Sequence, residues 1–212
     1  MALRVDPVRL LIADDVGVGK TIEAGLIARE LLDRGDVHRT CILCPPHLCD
    51  QWQRELELKF QIRAKIVRTS TIARLERDLP RQGLSPYQYY PHLIASIDFI
   101  KSDRHRHDFL THCPDLIIVD EAHTATDPGS RGSKEQQRRY ELVQRISDKS
   151  DRHLLLLTAT PHSGIERSFL SLLGLMNRHF GDLEFDHLTE RDRVSLARHF
   201  VQRRRADVKA WM

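Results

Sequence analysis

Long apolar runs are absent from this 212-residue sequence, in which the longest run without glycine has four residues, as at residues 154–157. A membrane-spanning helix needs about 20 predominantly apolar residues, so no segment is predicted to cross a bilayer. The first seven residues also lack the apolar centre of a secretory signal peptide. We therefore expect a cytoplasmic protein without a membrane partner.

Cysteine is scarce, with four residues, of which Cys41 and Cys44 have the C-x-x-C spacing that zinc and redox sites use. These two lie in an apolar run that predicts a buried strand, and residues three apart on a strand point to opposite faces. No second C-x-x-C completes a set of four ligands. The cysteines are therefore predicted to be core thiols rather than metal ligands.

Neither sign of charge is in large excess, since 33 Lys and Arg face 30 Asp and Glu for a formal net charge of +3. Lysine is nevertheless rare, because 26 of the basic residues are arginines. The planar guanidinium group suits phosphate oxygens, but an arginine-rich codon usage produces the same bias. Composition alone leaves a nucleic-acid partner open.

Short apolar runs alternate with longer helical patterns along the chain. Continuously apolar strands separated by helices are typical of an α/β fold with a mostly parallel sheet covered by helices on both faces. Strands are predicted at residues 9–13, 41–44, 92–96, 116–119 and 154–157, with a further one possible at 65–67. Helices are predicted at residues 21–33, 47–60 and 164–177, where apolar side chains recur at helical spacing.

Other segments lack these patterns. Residues 124–138 and 79–91 are predicted to be surface loops, since they are polar or rich in proline and tyrosine. Residues 181–212 are charged and have little strand pattern. We therefore expect one main domain at residues 1–180 and a helical appendage, outside the sheet, at residues 181–212.

The strongest motif is a glycine-rich loop between the first strand and the first helix. Backbone N–H groups of such a loop, at the positive end of a helix, bind phosphate oxygens. A lysine there reaches the terminal phosphates and a hydroxyl ligates Mg²⁺. The first glycine of G-x-x-x-x-G-K-[ST] is replaced by aspartate in this sequence. The candidate phosphate-binding residues are Asp14, Asp15, Val16, Gly17, Val18, Gly19, Lys20 and Thr21.

Two adjacent carboxylates, Asp120 and Glu121, follow the apolar run at residues 116–119. The carboxyl ends of parallel strands are where α/β proteins bind their ligands. Asp120 is therefore a candidate Mg²⁺ ligand, and Glu121 a candidate base that orients and deprotonates an attacking water.

Thr158 and Thr160 follow the strand predicted at residues 154–157. A Thr-x-Thr at a strand end is by itself most often a turn former. Since it falls at the same side of the predicted sheet as the acidic pair, we favour a role in coupling.

Together these motifs resemble the superfamily 2 helicases and translocases. Residues 120–123 are a DEAH box, and residues 158–160 match motif III. The loop at residues 13–21 resembles motif I of the SNF2 branch, which commonly has an acidic residue where other phosphate loops have their first glycine. Asp14 agrees with that pattern.

Three further stretches carry the same resemblance. Residues 46–56, with Trp52, resemble SNF2 motif Ia, and residues 95–99 resemble motif Ib. Residues 200–208 resemble the arginine-rich stretch that closes the first SNF2 lobe. Within the family the sequence looks most like bacterial SNF2-like helicases, including RNA-polymerase-associated and DISARM-type members.

The resemblance implies a RecA-like lobe that binds ATP and Mg²⁺ as half of a two-lobe ATPase. It implies that His123 senses the terminal phosphate, and that Thr158 and Thr160 pass this state to the DNA-binding side. It also implies that the motif Ia and Ib loops bind the backbone of duplex DNA without reading its sequence. In this sequence those residues are Pro46, His47, Ser96 and Lys101.

Two basic clusters resist assignment from the sequence. Residues 104–107 suit either phosphates or a solvated helix face. Residues 203–205 suit either phosphates or the acids of a second lobe. The second lobe of such enzymes supplies arginine fingers and half of the DNA track, and this sequence contains no match to it. We therefore expect the first lobe alone, with little hydrolysis unless a second RecA-like lobe is present in cis or in trans.

Two other functions remain open on the sequence. One is a strand-separating DEAH-box helicase acting on DNA or RNA, although Gln51 and Trp52 of motif Ia favour the SNF2 branch. The other is a non-catalytic binding module, which would bind no nucleotide in the presence of Mg²⁺. A phosphate-loop kinase is disfavoured, because such an enzyme has no role for the motif at residues 158–160.

Overall fold

The computed structural model describes residues 5–160 and 166–203. The chain divides into two compact units. One, the continuous unit, consists of Ala24–Asp120. The other, the split unit, combines Met1–Glu23 with Glu121–Met212.

Seven strands occur in the described residues. They are β1 (Arg9–Ile12), β2 (Thr40–Cys44), β3 (Lys65–Val67), β4 (His92–Ser96), β5 (Leu116–Val119), β6 (His153–Leu157) and β7 (Phe200–Val201). The first six coincide within one residue with the runs predicted from apolar content. In β2, β4, β5 and β6, four or five apolar or small side chains in succession let the strand be buried on both faces.

Nine α-helices are present in the same residues. They are α1 (Lys20–Arg34), α2 (Cys49–Phe60), α3 (Ile72–Arg77), α4 (Pro86–Tyr89), α5 (Ile97–Ile100), α6 (Asp103–Thr111), α7 (Lys134–Ser147), α8 (Glu166–Met176) and α9 (Glu190–Ala197). No helix in residues 5–160 or 166–203 has the length and apolarity to span a bilayer.

The continuous unit contains four parallel strands in the order β3-β4-β2-β5. All five residues of β2 are buried, including Cys41 and Cys44, and burial raises the pKa of the Cys41 thiol. Helix α2 buries one face, made of residues spaced three to four apart: Cys49, Trp52, Leu56 and Phe60. Each large apolar side chain buried in this way stabilises the fold by about 1.5–3 kcal/mol.

The split unit contains three parallel strands in the order β6-β1-β7. The prediction that residues 181–212 add nothing to the sheet is wrong for β7, which pairs with β1 at Leu11 and Ile12. The pattern in the sequence is weak because β7 has only two residues and both are half-buried. The boundary at residue 180 stays a prediction.

Helix α7 begins inside the segment that was predicted to be a loop through residue 138. Ser133 accepts a hydrogen bond from the Gln136 N–H while the Gln136 side chain accepts one from the Ser133 N–H. This capping box satisfies two of the N–H groups that a helix start leaves free. The S-x-x-Q pattern was present in the sequence, and it marks the true start of the helix.

Arg9 ties the ends of two helices to β1. Its guanidinium donates hydrogen bonds to the carbonyl oxygens of Ser147, the last residue of α7, at 2.8 Å and of Met176, the last residue of α8, at 3.3 Å. It also donates to the carbonyls of Lys149 and Arg152. Burial lowers the pKa of Arg9. The side chain therefore donates hydrogen bonds to carbonyl oxygens that have no intrahelical partners at the helix ends.

We predict that Arg9→Met lowers the free energy of unfolding by about 2–4 kcal/mol, because several partly buried carbonyls lose a charged donor. Chemical denaturation of the full chain measures the change. The matched control is Arg178→Met, since Arg178 is 85% exposed and pairs with Asp148 at 2.7 Å. An exposed pair of this kind contributes at most about 1 kcal/mol. Equal losses in the two variants would contradict the role given to Arg9.

Candidate functional site

A loop at residues 13–19 joins β1 to α1. Gly17 and Gly19 have φ angles of +84° and +107°. Left-handed backbone of this kind is easy for glycine and costly for residues with a Cβ. The two glycines therefore let the loop turn tightly into the first turn of α1, where the N–H groups and the helix dipole favour an anion.

Lys20 begins α1 and folds back over the loop. Its ammonium donates hydrogen bonds to the carbonyl oxygens of Asp14, at 2.8 Å, and Asp15, at 3.4 Å. Residues 15–21 are all half-buried or exposed. An anion from solvent can therefore reach the loop, and the positive charge of Lys20 is held inside it.

Asp14 differs from the other loop residues because its side chain is 0% exposed. Its carboxylate accepts hydrogen bonds from the Arg203 backbone N–H at 2.8 Å and from Arg203 Nε at 2.9 Å. Asp14 was predicted among the phosphate-binding residues. In the structure its carboxylate faces Arg203, and its carbonyl oxygen is the partner of Lys20.

Strand β5 ends at Val119 and is followed at once by the two acids. Asp120 is half-buried, and its Oδ2 accepts a hydrogen bond from Trp52 Nε1 at 2.8 Å. The Asp120 N–H donates to the carbonyl of Leu43 at 2.8 Å. The carboxylate is thus fixed from α2 and its backbone from β2. The sequence marked Trp52 as part of motif Ia but gave no sign of this contact.

Glu121 has left-handed backbone, with φ +52° and ψ +45°. For a residue with a side chain this conformation costs of the order of 1–3 kcal/mol and is concentrated at functional sites. The change of backbone direction turns the chain out of β5 into a 3₁₀ turn at Ala122–Ala125. The position of the Glu121 side chain is therefore set by the backbone of this turn and not by strand β5.

His123 connects Glu121 to the end of β6. Its Nδ1 atom lies 3.2 Å from Glu121 Oε2 and 3.2 Å from Thr158 Oγ1. Thr158 is buried, its hydroxyl accepts a hydrogen bond from the Thr160 N–H at 3.1 Å, and its N–H donates to the Ile12 carbonyl at 3.0 Å. The structure thus brings together Glu121, His123, Thr158 and Thr160 at the strand end beside β1.

The residues predicted to contact nucleic acid lie in the continuous unit. Pro46 and His47 are exposed in a 3₁₀ turn after β2, and Ser96 ends β4, the neighbouring strand. An open cavity of about 570 Å³ has Pro46 and Ser96 in its lining. The cavity is also lined by His105, from the basic cluster at residues 104–107, and by four residues that were not singled out from the sequence: Arg68, Thr69, Ser70 and Ser102.

Lys101 is not placed as predicted. The residue is 6% exposed and its ammonium donates to Asp98 Oδ1 at 2.9 Å. A buried ammonium paired with a carboxylate is not presented to a phosphate backbone, so the structure does not support this residue as a nucleic-acid contact. The i,i+3 spacing of Asp98 and Lys101 allowed the pair, although the sequence could not indicate its burial.

The structure shows different surroundings for the described residues of the two basic clusters, at residues 104–107 and 203–205. On α6, Arg104 and His107 are exposed, whereas Arg106 pairs with Asp103 at 2.8 Å. Arg203 pairs with acids of its own split unit, Asp14 among them, instead of being left for another lobe. Residues 204–208 lie outside the described residues.

Comparison with known proteins agrees with this geometry. A family profile described as "Type III restriction enzyme, res subunit" matches residues 3–163. The RNA polymerase-associated protein RapA of Klebsiella pneumoniae (strain 342) is 34% identical over 176 residues, which cover 82% of this chain and 17% of RapA. RapA of Actinobacillus pleuropneumoniae serotype 7 (strain AP76) is 36% identical over 181 residues, covering 82% of this chain and 18% of RapA.

Two solved structures resemble the fold. The Sulfolobus solfataricus SWI2/SNF2 ATPase core in complex with dsDNA superposes with a TM-score of 0.66 at 16% identity, over 95% of this chain and 41% of that one. The Pyrococcus furiosus Hef helicase domain gives a TM-score of 0.61 at 18% identity, over 96% of this chain and 36% of that one. The chain belongs to the family that this profile describes, and it shares its fold with the two solved structures.

The chain spans about a sixth of the length of the curated RapA proteins that it matches. The predicted α/β fold with parallel strands is confirmed. The predicted phosphate loop, DEAH box and motif III follow the carboxyl ends of β1, β5 and β6, respectively.

We predict that Trp52→Phe lowers the free energy of unfolding by about 1–3 kcal/mol, since the Asp120 carboxylate loses a hydrogen bond in a partly buried place. Urea denaturation of the full chain measures the loss. The same substitution in an Asp120→Asn background is the control, because it removes the same indole volume while the charged acceptor is already gone. The cost should be smaller there. Equal costs in both backgrounds would mean that packing, not the hydrogen bond, explains the contact.

Proposed function

We propose that this chain is the ATP-binding lobe of an SNF2-type, DNA-dependent ATPase that translocates on duplex DNA together with a second RecA-like lobe, supplied in cis or in trans. The observation that carries the proposal is the phosphate loop, where two positive-φ glycines precede a lysine that folds back onto the loop carbonyls. The cluster of Glu121, His123 and Thr158 supports the same function.

The loop fits a nucleoside triphosphate in its geometry and in its charge. Apart from its two chain neighbours, no described residue has an atom within 4 Å of the place where a Cβ would stand on Gly19, so there is open space beside the loop backbone. The present partners of the Lys20 ammonium are neutral carbonyl oxygens. Because an ammonium is attracted more strongly to a full negative charge than to a neutral carbonyl, an anionic phosphate can replace these carbonyls.

Thr21 and Asp120 are the residues that would hold Mg²⁺. Hydroxyl and carboxylate oxygens are hard ligands, and Mg²⁺ in nucleotide sites takes one or two carboxylates together with phosphate oxygens. In the part of the chain that the structure describes, no three His, Cys, Asp or Glu side chains form a metal site. When bound, MgATP supplies the transferable phosphoryl group and a divalent charge that stabilises its transfer.

Glu121 is the proposed base of the reaction, with Lys20 stabilising charge on the phosphates. The Glu121 carboxylate orients a water molecule and accepts a proton from it. His123 lies against both Glu121 and Thr158, so a change at the carboxylate reaches the end of β6 through two contacts of 3.2 Å. The Thr160 N–H bonds the same Thr158 hydroxyl. We propose this chain of contacts as the coupling path.

The proposed DNA contacts are His47 and Pro46, exposed after β2, with Ser96 in the adjoining cavity. Polar groups at loop ends suit the phosphate backbone and carry no information on base sequence. The dsDNA complex of the Sulfolobus relative supports duplex DNA as the partner. Strand separation is the alternative, and the similar TM-score of the Hef helicase domain keeps it open. A strand-displacement assay on the complete two-lobe protein distinguishes the two.

We expect Lys20→Ala to reduce the affinity for a fluorescent ATP analogue with Mg²⁺ at least about tenfold, because the phosphates lose a charged donor worth at least about 1.4 kcal/mol. Glu121→Gln should bind the analogue as the wild type does, since its proposed role begins only at hydrolysis. Lys59→Ala is the matched control, because Lys59 is an exposed lysine that pairs with Glu55 on α2. Equal binding by wild type and Lys20→Ala would refute the proposed phosphate loop.

We expect little ATP hydrolysis from this lobe alone, since a missing arginine finger costs about 10³–10⁵ in rate. Adding the second lobe should restore hydrolysis, and duplex DNA should stimulate it. Steady-state phosphate release measures both effects. Fast hydrolysis by the lone lobe, unaffected by DNA, would contradict the two-lobe mechanism.

We also expect His47→Ala to weaken binding to duplex DNA by about two- to tenfold, the worth of one ordinary hydrogen bond. The loss should be the same for unrelated DNA sequences. His38→Ala is the control, because His38 is also exposed but precedes β2, whereas His47 follows it. Fluorescence anisotropy at fixed low salt measures both. Equal affinities for the two variants would contradict a DNA contact at His47.

A further inference from the structure

The residues around β7 run beside β1 and continue along the phosphate loop. The N–H groups of Leu11 and Ala13 donate to the carbonyls of His199 and Val201, each at 2.8 Å. The Asp15 N–H then donates to the Arg203 carbonyl at 3.1 Å. The ladder therefore reaches past β1 into the loop itself, and we call residues 199–203 the loop-pairing segment.

The last residue of the loop-pairing segment, Arg203, holds the side chain of Asp14 from three positions. Its backbone N–H donates to Oδ1 at 2.8 Å, and its Nε donates to Oδ2 at 2.9 Å. A terminal guanidinium nitrogen also lies 2.7 Å from Oδ2. Asp14 is fully buried, so its carboxylate depends on these contacts in place of water.

Glu23, in the first turn of α1, is the second acid that Arg203 contacts. One guanidinium thus bridges a carboxylate before the glycines and another just after Lys20 and Thr21. Its side chain is 45% exposed, whereas those of Asp14 and Glu23 are 0% and 25% exposed. The two acids flank the stretch proposed to bind phosphates, and without the guanidinium both would repel an anion there.

Asp14 also connects this ion pair to Lys20. Its side chain accepts from Arg203, and its carbonyl accepts from the Lys20 ammonium at 2.8 Å. A shift of Asp14 would therefore move the partner of the lysine. The contact between Arg203 and Asp14 joins residues 189 positions apart in the sequence.

We propose that Arg203 is a positioning residue for nucleotide binding, which neutralises Asp14 and Glu23 and fixes the phosphate loop against the loop-pairing segment. The proposal rests on the proposed function of that loop. It assigns Arg203 no contact with the nucleotide. By thermodynamic reciprocity, a nucleotide that prefers the fixed loop must also stabilise the loop-pairing segment.

The first experiment compares binding of a fluorescent ATP analogue with Mg²⁺ by variants of the full chain. Arg203→Gln should raise the Kd at least about tenfold, the effect of about 1.4 kcal/mol, and should affect ATP more than AMP because the repulsion scales with ligand charge. The double variant Asp14→Asn with Arg203→Gln should recover part of the affinity, since it removes the uncompensated buried charge. Arg178→Gln, which breaks an exposed pair in the same unit, is the control.

The second experiment uses the wild type, so that it does not depend on how well a variant folds. The ATP analogue should slow hydrogen exchange at the Arg203 and Asp15 amides, whose N–H groups join the segment to the loop. The control amide is that of His38 in the continuous unit, which donates to Asp115 and should exchange unchanged. Lys20→Ala should abolish the protection at Arg203 and Asp15.

The results separate two kinds of failure. If the wild type binds the analogue, Lys20→Ala does not, and Arg203→Gln binds as Arg178→Gln does, the role of Arg203 is refuted while the phosphate loop stands. Absence of rescue by the double variant, together with an equal loss for ATP and AMP, would also refute it, because the effect would then be structural. If wild type and Lys20→Ala bind alike or not at all, the proposed function fails and the inference with it.

Discussion

Parallel pairing along β1 is the constraint on which the site in the split unit depends. β1 is bonded on one side to β6 and on the other to β7, and each neighbour delivers a side chain at its carboxyl end. From β6 comes Thr158, whose N–H bonds the Ile12 carbonyl, and from the β7 side comes Arg203, whose carbonyl bonds the Asp15 N–H. The loop that leaves β1, which we propose binds phosphates, is therefore held by its neighbours before any ligand binds. Electrostatic preorganisation of this kind lets a site bind charge without rearranging.

Charge in the split unit is arranged so that an anion can bind among acids. The loop has two aspartates, and α1 adds Glu23 in its first turn. The ammonium of Lys20 is held by neutral carbonyls, which leaves its charge for a phosphate, whereas the guanidinium of Arg203 is paired with Asp14 and Glu23. We therefore propose different roles for the two cations. A lysine offers a compact charge to a phosphate, and an arginine suits a fixed pair of carboxylates.

Most of the fold could be predicted because short, fully apolar runs have few alternatives to a buried strand, as at Leu116–Val119. The phosphate loop and the DEAH box were evident because their chemistry lies in consecutive residues. What the sequence could not give were contacts between distant positions, such as Trp52 with Asp120 and Arg203 with Asp14. β7 was missed since a two-residue strand has no period, and the start of α7 because its first turns are polar. The nucleotide and DNA contacts stay predictions.

The central claim is that the loop after β1 binds the phosphates of a nucleotide together with a divalent cation. Isothermal titration calorimetry of the full chain with ATP and with AMP, each with and without Mg²⁺, tests it most directly. The contacts proposed for the loop are with phosphates, so the account predicts tighter binding of ATP than of AMP and a clear gain of ATP affinity on adding Mg²⁺. Equal affinity for ATP and AMP, unaffected by Mg²⁺, would contradict it.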